Sequence, residues 1–375
     1  WLKTLWVKTG HHSVVSMKGL GKSAPPHPST APAKLSKDEG WRRRAAARAL
    51  EARGDPNVQE KFLQPVEEPA LDVSHSPRFD CEDASWRDYL NEHGYVVIST
   101  VAGPEEVEVA EDLLWQFMEE NASWKRLQPL SWTDESLVSC SSNGLANGII
   151  NKRGAGQSDL NWFVRTLPRV RRVFEQLWET DELVTSFDAF GIFRPWHHGF
   201  MKTLGGWQHV DQGRTKTGRQ CVQGLFSIFD QNASTGGLMV VPGSHLRFDE
   251  LCATAENDDD FIDVPPSSPL RALQSLLVDC QRGDFILWDS RCVHCSTSAV
   301  EAPSCAPDRL LRAVVYVCMT PKSWASEQTL EKKRKGYEMR VTTSHWPHTN
   351  VMGFGYGKQP LDFDAATPER RALIC

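Results

Sequence analysis

Three side chains in this 375-residue sequence have the types and spacing to share one metal ion. In the segment Gly205-Gly-Trp-Gln-His-Val-Asp211, His209 and Asp211 stand at i and i+2. In an extended strand such a pair projects to one face, about 7 Å apart at Cα. His294 follows, directly after the strand-like run Gly283-Asp-Phe-Ile-Leu-Trp288. Two imidazoles and one carboxylate leave three adjacent positions of an octahedral ion open, the arrangement found in non-haem Fe(II) oxygenases. Zinc hydrolases use similar ligands, so the triad alone does not choose the metal.

A cation near the triad bears on that choice. A 2-oxo acid chelating the metal needs a fixed positive charge for its distal carboxylate, and the planar fork of an arginine suits it. Arg312 begins the run Arg-Ala-Val-Val-Tyr-Val-Cys318, a strand that can point into the same barrel. Ser296 lies two residues after His294, on the same side of an extended segment, with a hydroxyl to donate. Arg309 competes with Arg312 on composition, and a strand-end salt bridge is the simpler role for either.

The remaining candidates read as structural. His245, in Pro-Gly-Ser-His, is expected as a turn residue, because an open metal face leaves no need for a fourth protein ligand. His197 and His198 are expected on a surface loop, and His11, His12, His27 and His75 in tail or linker. His345 and His348 have the helical spacing of a zinc pair, but Pro347 between them argues against a helix. Trp207 and Trp288 flank the triad segments and are expected to shape the pocket or pack the barrel. The ten cysteines show no framework spacing and read as reduced thiols. EKKRK at 331–335 reads as a solvated helix face, and Asp258-Asp259-Asp260 as a solvated loop.

The elements that must position these residues fall in two groups. A helix is expected from Ser85 to Glu92, followed by the β-branched run Gly94-Tyr-Val-Val-Ile-Ser-Thr100. Pro104-Glu-Glu106 opens a second helix, with proline in the first turn and acids near its positive end. A Gly/Asn/Ser-rich loop at 141–159 precedes a third helix over roughly Leu160–Trp178. From residue 187 the period changes to short strands separated by glycine and proline: FDAFGIF, CVQGLFSIF, GLMVV, DFILW and LLRAVVYVCM. That order predicts a mainly β, α+β domain with a helical N-terminal layer.

Charge divides the chain further. The net charge is −6, yet residues 1–70 carry +5, which leaves −11 for the other 305. Residues 1–37 contain six lysines, no acid and several prolines. They are expected to be a disordered basic tail or fragment edge, with a transit region as the alternative. A polar helix and linker at 38–80, an oxygenase-sized domain at 81–360 and a C-terminal tail at 361–375 complete the expected organisation. No apolar run is long enough for a membrane helix. The acidic balance argues against a nucleic-acid partner. A cytoplasmic location is expected, or an organelle if residues 1–37 belong to a transit peptide.

Taken together, the GGWQHVDQG segment, the run Ser234-Thr-Gly-Gly-Leu-Met-Val-Val-Pro-Gly-Ser-His245, WDSRCVHCS and LLRAVVYVCM resemble the phytanoyl-CoA dioxygenase family of Fe(II)/2-oxoglutarate oxygenases. The Gly-Tyr-Val-Val-Ile opening matches as well, and the resemblance runs from about residue 85 to 355. It implies a double-stranded β-helix (a jelly roll, cupin-like) in which His209, Asp211 and His294 bind iron. It also implies that Arg312 and Ser296 hold 2-oxoglutarate, with O2 as the second co-substrate. The stretch Glu301-Ala-Pro-Ser-Cys-Ala-Pro307 lengthens the gap before Arg312 beyond the family's usual one and keeps Arg309 open as the anchor. The expected reaction is hydroxylation of a small organic substrate, since related halogenases lack the carboxylate that Asp211 supplies. A non-catalytic jelly-roll binding protein and a zinc hydrolase are the alternatives. The oligomeric state does not follow from the sequence.

Overall fold

Gly224 shows how tightly the strands of this computed structural model are laid together. A Cβ there would stand 2.3 Å from the ring of Phe285 on the neighbouring strand and 2.8 Å from the Val317 carbonyl on the other side. The structure describes residues 70–142, 147–255, 258–303, 305–349, 353 and 356–375. The expected basic tail and polar helix, and most of the linker after them, lie outside these residues.

The strands β1 (Arg78–Phe79), β2 (Tyr95–Ile98), β3 (Ile149–Ile150), β5 (Phe190–Phe193), β7 (Val222–Ser227), β11 (Phe285–Asp289) and β13 (Arg312–Val317) form the larger sheet. Its order is β1-β2-β11-β7-β13-β5-β3. The second sheet runs β10-β8-β12-β6-β9, from β6 (His209–Val210), β8 (Gly236–Val240), β9 (Ile262–Asp263), β10 (Leu276–Leu277) and β12 (His294–Ser298). All pairings within both sheets are antiparallel except β1 with β2. Apolar side chains of both sheets meet in one cluster, with Val97, Leu225, Ile286 and Val314 from one and Leu238, Val240 and Leu276 from the other. Two antiparallel sheets packed face to face in this way make the jelly roll. A short pair, β4 (Leu183–Thr185) with β14 (Met319–Pro321), stands beside it.

The outer face of the larger sheet is covered by helices. They are α1 (Ser85–His93), α2 (Pro104–Ala122), α3 (Asp134–Cys140), α4 (Asp159–Thr166) and α5 (Pro168–Trp178). Phe226, Phe285, Leu287, Ala313 and Val315 of the sheet share one core with Trp86, Leu114, Trp162 and Phe174 of the helices. The single helix expected over Leu160–Trp178 is two. Leu167 precedes Pro168, whose ring disfavours the helical region for its neighbour, and Leu167 is extended at ψ 127°. The helical layer is also not confined to the N-terminal part. α6 (Glu327–Glu338) and α7 (Pro368–Ile374) follow the strands, and α7 buries Leu373 and Ile374. β2, from the helix-rich half, sits within the larger sheet beside β11.

The expectation of solvated charge needs correction at one position, Lys333. Lys333, in the EKKRK run of α6, is 2% exposed and donates to the Thr185 carbonyl, with its ammonium 4.4 Å from the centre of the Phe187 ring. Helical periodicity turns one position of even a highly charged run inward. In the Asp258–Asp260 loop, Asp258 pairs with Arg214, and Asp260 pairs with Lys216 and accepts from the Gly213 amide. Among the described residues, no helix is long and apolar enough to cross a membrane.

Candidate metal centre

Antiparallel register brings the two histidines together. His209 on β6 is paired directly with His294 on β12, and their rings are 4.3 Å apart. Asp211 lies just beyond β6, its backbone amide fixed by the Ser290 carbonyl at 2.9 Å. Its Oδ1 is 3.4 Å from His209 Nε2 and its Oδ2 is 3.2 Å from His294 Nε2. One ligand atom from each of the three lies within 4.8 Å of the others, and among the described residues this is the one cluster of its kind.

Each imidazole is oriented from behind. His209 Nδ1 lies 3.0 Å from the Trp207 carbonyl and His294 Nδ1 2.9 Å from the Cys292 carbonyl. A carbonyl only accepts, so both Nδ1 atoms carry the proton and both Nε2 lone pairs turn toward Asp211. The His209 ring is held between Trp207 at 4.8 Å and Phe261 at 4.4 Å, both stacked, and Trp288 lies 5.4 Å from the ring of His294. Burial pushes His209 below its ordinary pKa and so keeps it neutral. For Asp211, burial opposes the charge, but the surrounding imidazoles of His209, His345 and His294 outweigh it and hold the carboxyl well below its usual range. An ionised carboxylate faced by imidazole Nε2 atoms is the donor set a divalent ion requires.

The supporting contacts include residues that sequence reasoning missed. Gln223, inward-facing on β7, donates from Nε2 to Asp211 Oδ2 at 3.0 Å and fixes the carboxylate plane. Its signal was the polar residue amid the otherwise apolar CVQGLF strand. His345 Nε2 lies 3.2 Å from the Asp211 backbone carbonyl, whereas His348 Nδ1 reaches Thr320 Oγ1 at 3.0 Å. The two therefore serve different places, as the absence of a helix there requires. Asp289, fully buried, accepts from both Arg219 and Arg291 and anchors the turn that delivers His294.

The expected carboxylate anchors separate clearly. Arg312 is 1% exposed on β13, with its guanidinium 4.8 Å from the centre of the Phe193 ring. Its Nε donates to Gln231 Oε1 at 2.6 Å, while Nη1 is buried with no partner. A buried guanidinium with an unused donor is what a carboxylate ligand fits. Arg309 is exposed, lies over the Phe229 ring and lines a surface cleft of about 220 Å³ with Phe229 and Cys305. Ser296 is buried on β12 opposite Leu238, on the same side of the strand as His294. His245 is a turn residue as expected, in the short helical turn Ser244–Arg247, with Nε2 2.9 Å from the Asn91 carbonyl of α1. His197 and His198 occupy another such turn and face the Cys305 carbonyl at 3.4 and 3.5 Å.

The chain is similar to known proteins over much of its length. It is 28% identical to the Ava biosynthesis cluster protein O of Aspergillus versicolor over 294 residues, which cover 74% of this chain and 90% of that protein. Among solved structures it is similar to SnoK, a non-heme alpha ketoglutarate dependent carbocyclase from nogalamycin biosynthesis. That match has 16% identity and a TM-score of 0.42, and covers 65% of this chain and 86% of the other. EctD from S. alaskensis, solved with 2-oxoglutarate and 5-hydroxyectoine, is similar at 17% identity and a TM-score of 0.44, over 70% of this chain and 88% of that one. The family model for phytanoyl-CoA dioxygenases (PhyH) matches residues 90–299, more than half of the sequence and a span that contains all three residues of the cluster. The chain belongs to the phytanoyl-CoA dioxygenase family.

Proposed function

We propose that this protein is an Fe(II)- and 2-oxoglutarate-dependent dioxygenase that hydroxylates a C–H bond of a small organic molecule. The observation that carries the reading is the His209–Asp211–His294 cluster, with Asp211 within 3.4 Å of both imidazoles. A buried arginine with an unused donor accompanies it in the same jelly roll. In this reading His209, Asp211 and His294 hold the iron on one face, and Arg312 and Ser296 receive the distal carboxylate of 2-oxoglutarate. When bound, iron with 2-oxoglutarate and O2 supplies the oxidising power, with succinate and CO2 as the by-products.

The protein's own share is positioning. The Trp207 and Cys292 carbonyls keep the imidazole lone pairs aimed at the metal position, and Gln223 keeps the carboxylate turned toward it. Gln231 fixes one edge of Arg312, so that its free edge is already oriented before any ligand arrives. Trp207, Phe261 and Trp288 restrict water around the imidazoles.

The test is an anaerobic titration of 2-oxoglutarate into the iron-loaded protein. A weak visible absorption band is expected, followed by succinate release on admission of air. Absence of both sinks the reading. Activity retained with zinc and without O2 assigns the same triad to hydrolysis instead.

A further inference from the structure

Two thiols meet beside the metal centre without a part in assembling it. Cys221 leads into β7 and Cys318 leaves β13, strands paired with Gly224 opposite Val317. Of the ten free cysteines, these two bring their sulfurs 3.1 Å apart. That is already inside ordinary van der Waals contact, and an S–S bond needs a closure to roughly 2.05 Å. Both backbones are pinned. The Ser290 amide donates to the Cys221 carbonyl at 3.1 Å, and the Ser186 amide to the Cys318 carbonyl at 2.8 Å. Trp346 completes a small buried cluster with the pair.

Direct contacts join the pair to Asp211. The Cys221 thiol donates to the His345 carbonyl at 3.7 Å, and His345 Nε2 lies 3.2 Å from the Asp211 carbonyl. The Cys318 thiol donates to the Val222 carbonyl at 3.1 Å, and the next residue, Gln223, holds the Asp211 carboxylate. Ser290, which pins Cys221, also accepts from the Asp211 amide. The Trp346 ring is 5.3 Å from that of His345. Solvent plays little part here, since Cys221 is 0% and Cys318 1% exposed. Burial also pushes the Cys318 thiol well above its ordinary pKa, so it keeps its proton and is a poor nucleophile toward disulfides from solution. What such a pair can still give is hydrogen, with its electron, to an oxidant generated inside the protein.

We infer that Cys221 and Cys318 form a two-electron reserve that closes to a disulfide when 2-oxoglutarate and O2 react with no organic substrate present. This rests on the dioxygenase reading. The step balances: one oxygen atom of O2 enters succinate as CO2 leaves, and the other takes both thiol hydrogens and departs as water. Two electrons leave sulfur as the S–S bond forms. The test starts from reduced, iron-loaded protein with 2-oxoglutarate, admits air without organic substrate, and counts thiols by alkylation after denaturation. The ten alkylatable cysteines are expected to fall by two, with a Cys221–Cys318 peptide lighter by about 2 Da than the reduced pair. Air without 2-oxoglutarate is expected to leave all ten, and Cys318→Ser to release succinate without forming the cross-link. A cross-link that forms equally without 2-oxoglutarate, one that joins other cysteines, or succinate released with every thiol intact overturns the role of the pair alone. No succinate at all defeats the dioxygenase reading and this one with it.

Discussion

The two faces of the larger sheet are made by the same strands and share almost nothing else. On β7 and β13, Phe226, Ala313, Val315 and Val317 turn outward into the helices, while Gln223 and Arg312, from alternate positions, carry hydrogen bonds inside the jelly roll. The outer face is held by area buried from water, which tolerates any well-filled arrangement. The inner face is held by named partners at fixed distances, and there a single lost partner strands a buried charge. Stability should therefore be concentrated on one side of each strand and chemistry on the other.

Substitutions can break that division. Asp211→Ala is expected to have the largest effect: succinate formation lost by several orders of magnitude, with the thermal unfolding midpoint nearly unchanged. A large fall in stability instead makes Asp211 part of the structural core. On the outer face, Phe285→Ala is expected to destabilise by about 3–5 kcal/mol in denaturant unfolding, because the ring is fully buried against Phe174 and Gly224. The fraction that remains folded should turn over normally, and a specific loss of turnover erases the distinction between the faces. Gln223→Leu sharpens the inner side. It removes the donor to Asp211 without touching a ligand, so iron affinity should fall about 10–100-fold, read by competition with a metal chelator.

The smallest effect concerns Lys333, a polar group in the wrong half of this division. Burial pushes its ammonium down to about 7 from the ordinary 10.5. Between those values the unfolded chain binds the proton and the folded one does not, so stability rises with pH across that window. Below about 7 both forms are protonated and this contribution no longer changes. Lys333→Met is expected to flatten the rise in unfolding free energy between pH 7 and pH 10. An unchanged slope shows that another group titrates there.

Much of the site was legible before any fold was known. The His-x-Asp pair, the later histidine and the arginine-led strand are local patterns, and each needs only strand periodicity to suggest a role. Which of Arg309 and Arg312 is buried was not legible, because three positions of sequence separate an exposed loop from a buried strand. Gln223, Phe261 and His345 were missed for a related reason: each meets His209 or Asp211 from 12 to 134 residues away, and no local period marks such a meeting. The helix over 160–178 was read as one because its apolar positions continue through Pro168, whose effect on Leu167 is conformational and leaves no trace in hydropathy.

The sequence by itself determined which residue types were available and the sides on which strands would show them, since alternation follows from backbone geometry alone. Tertiary structure decided which of those residues meet. The pairing of His209 with His294 and the inward turn of Arg312 both depend on register between distant strands. Register is set by the packing of whole faces, so no short segment of the chain contains it.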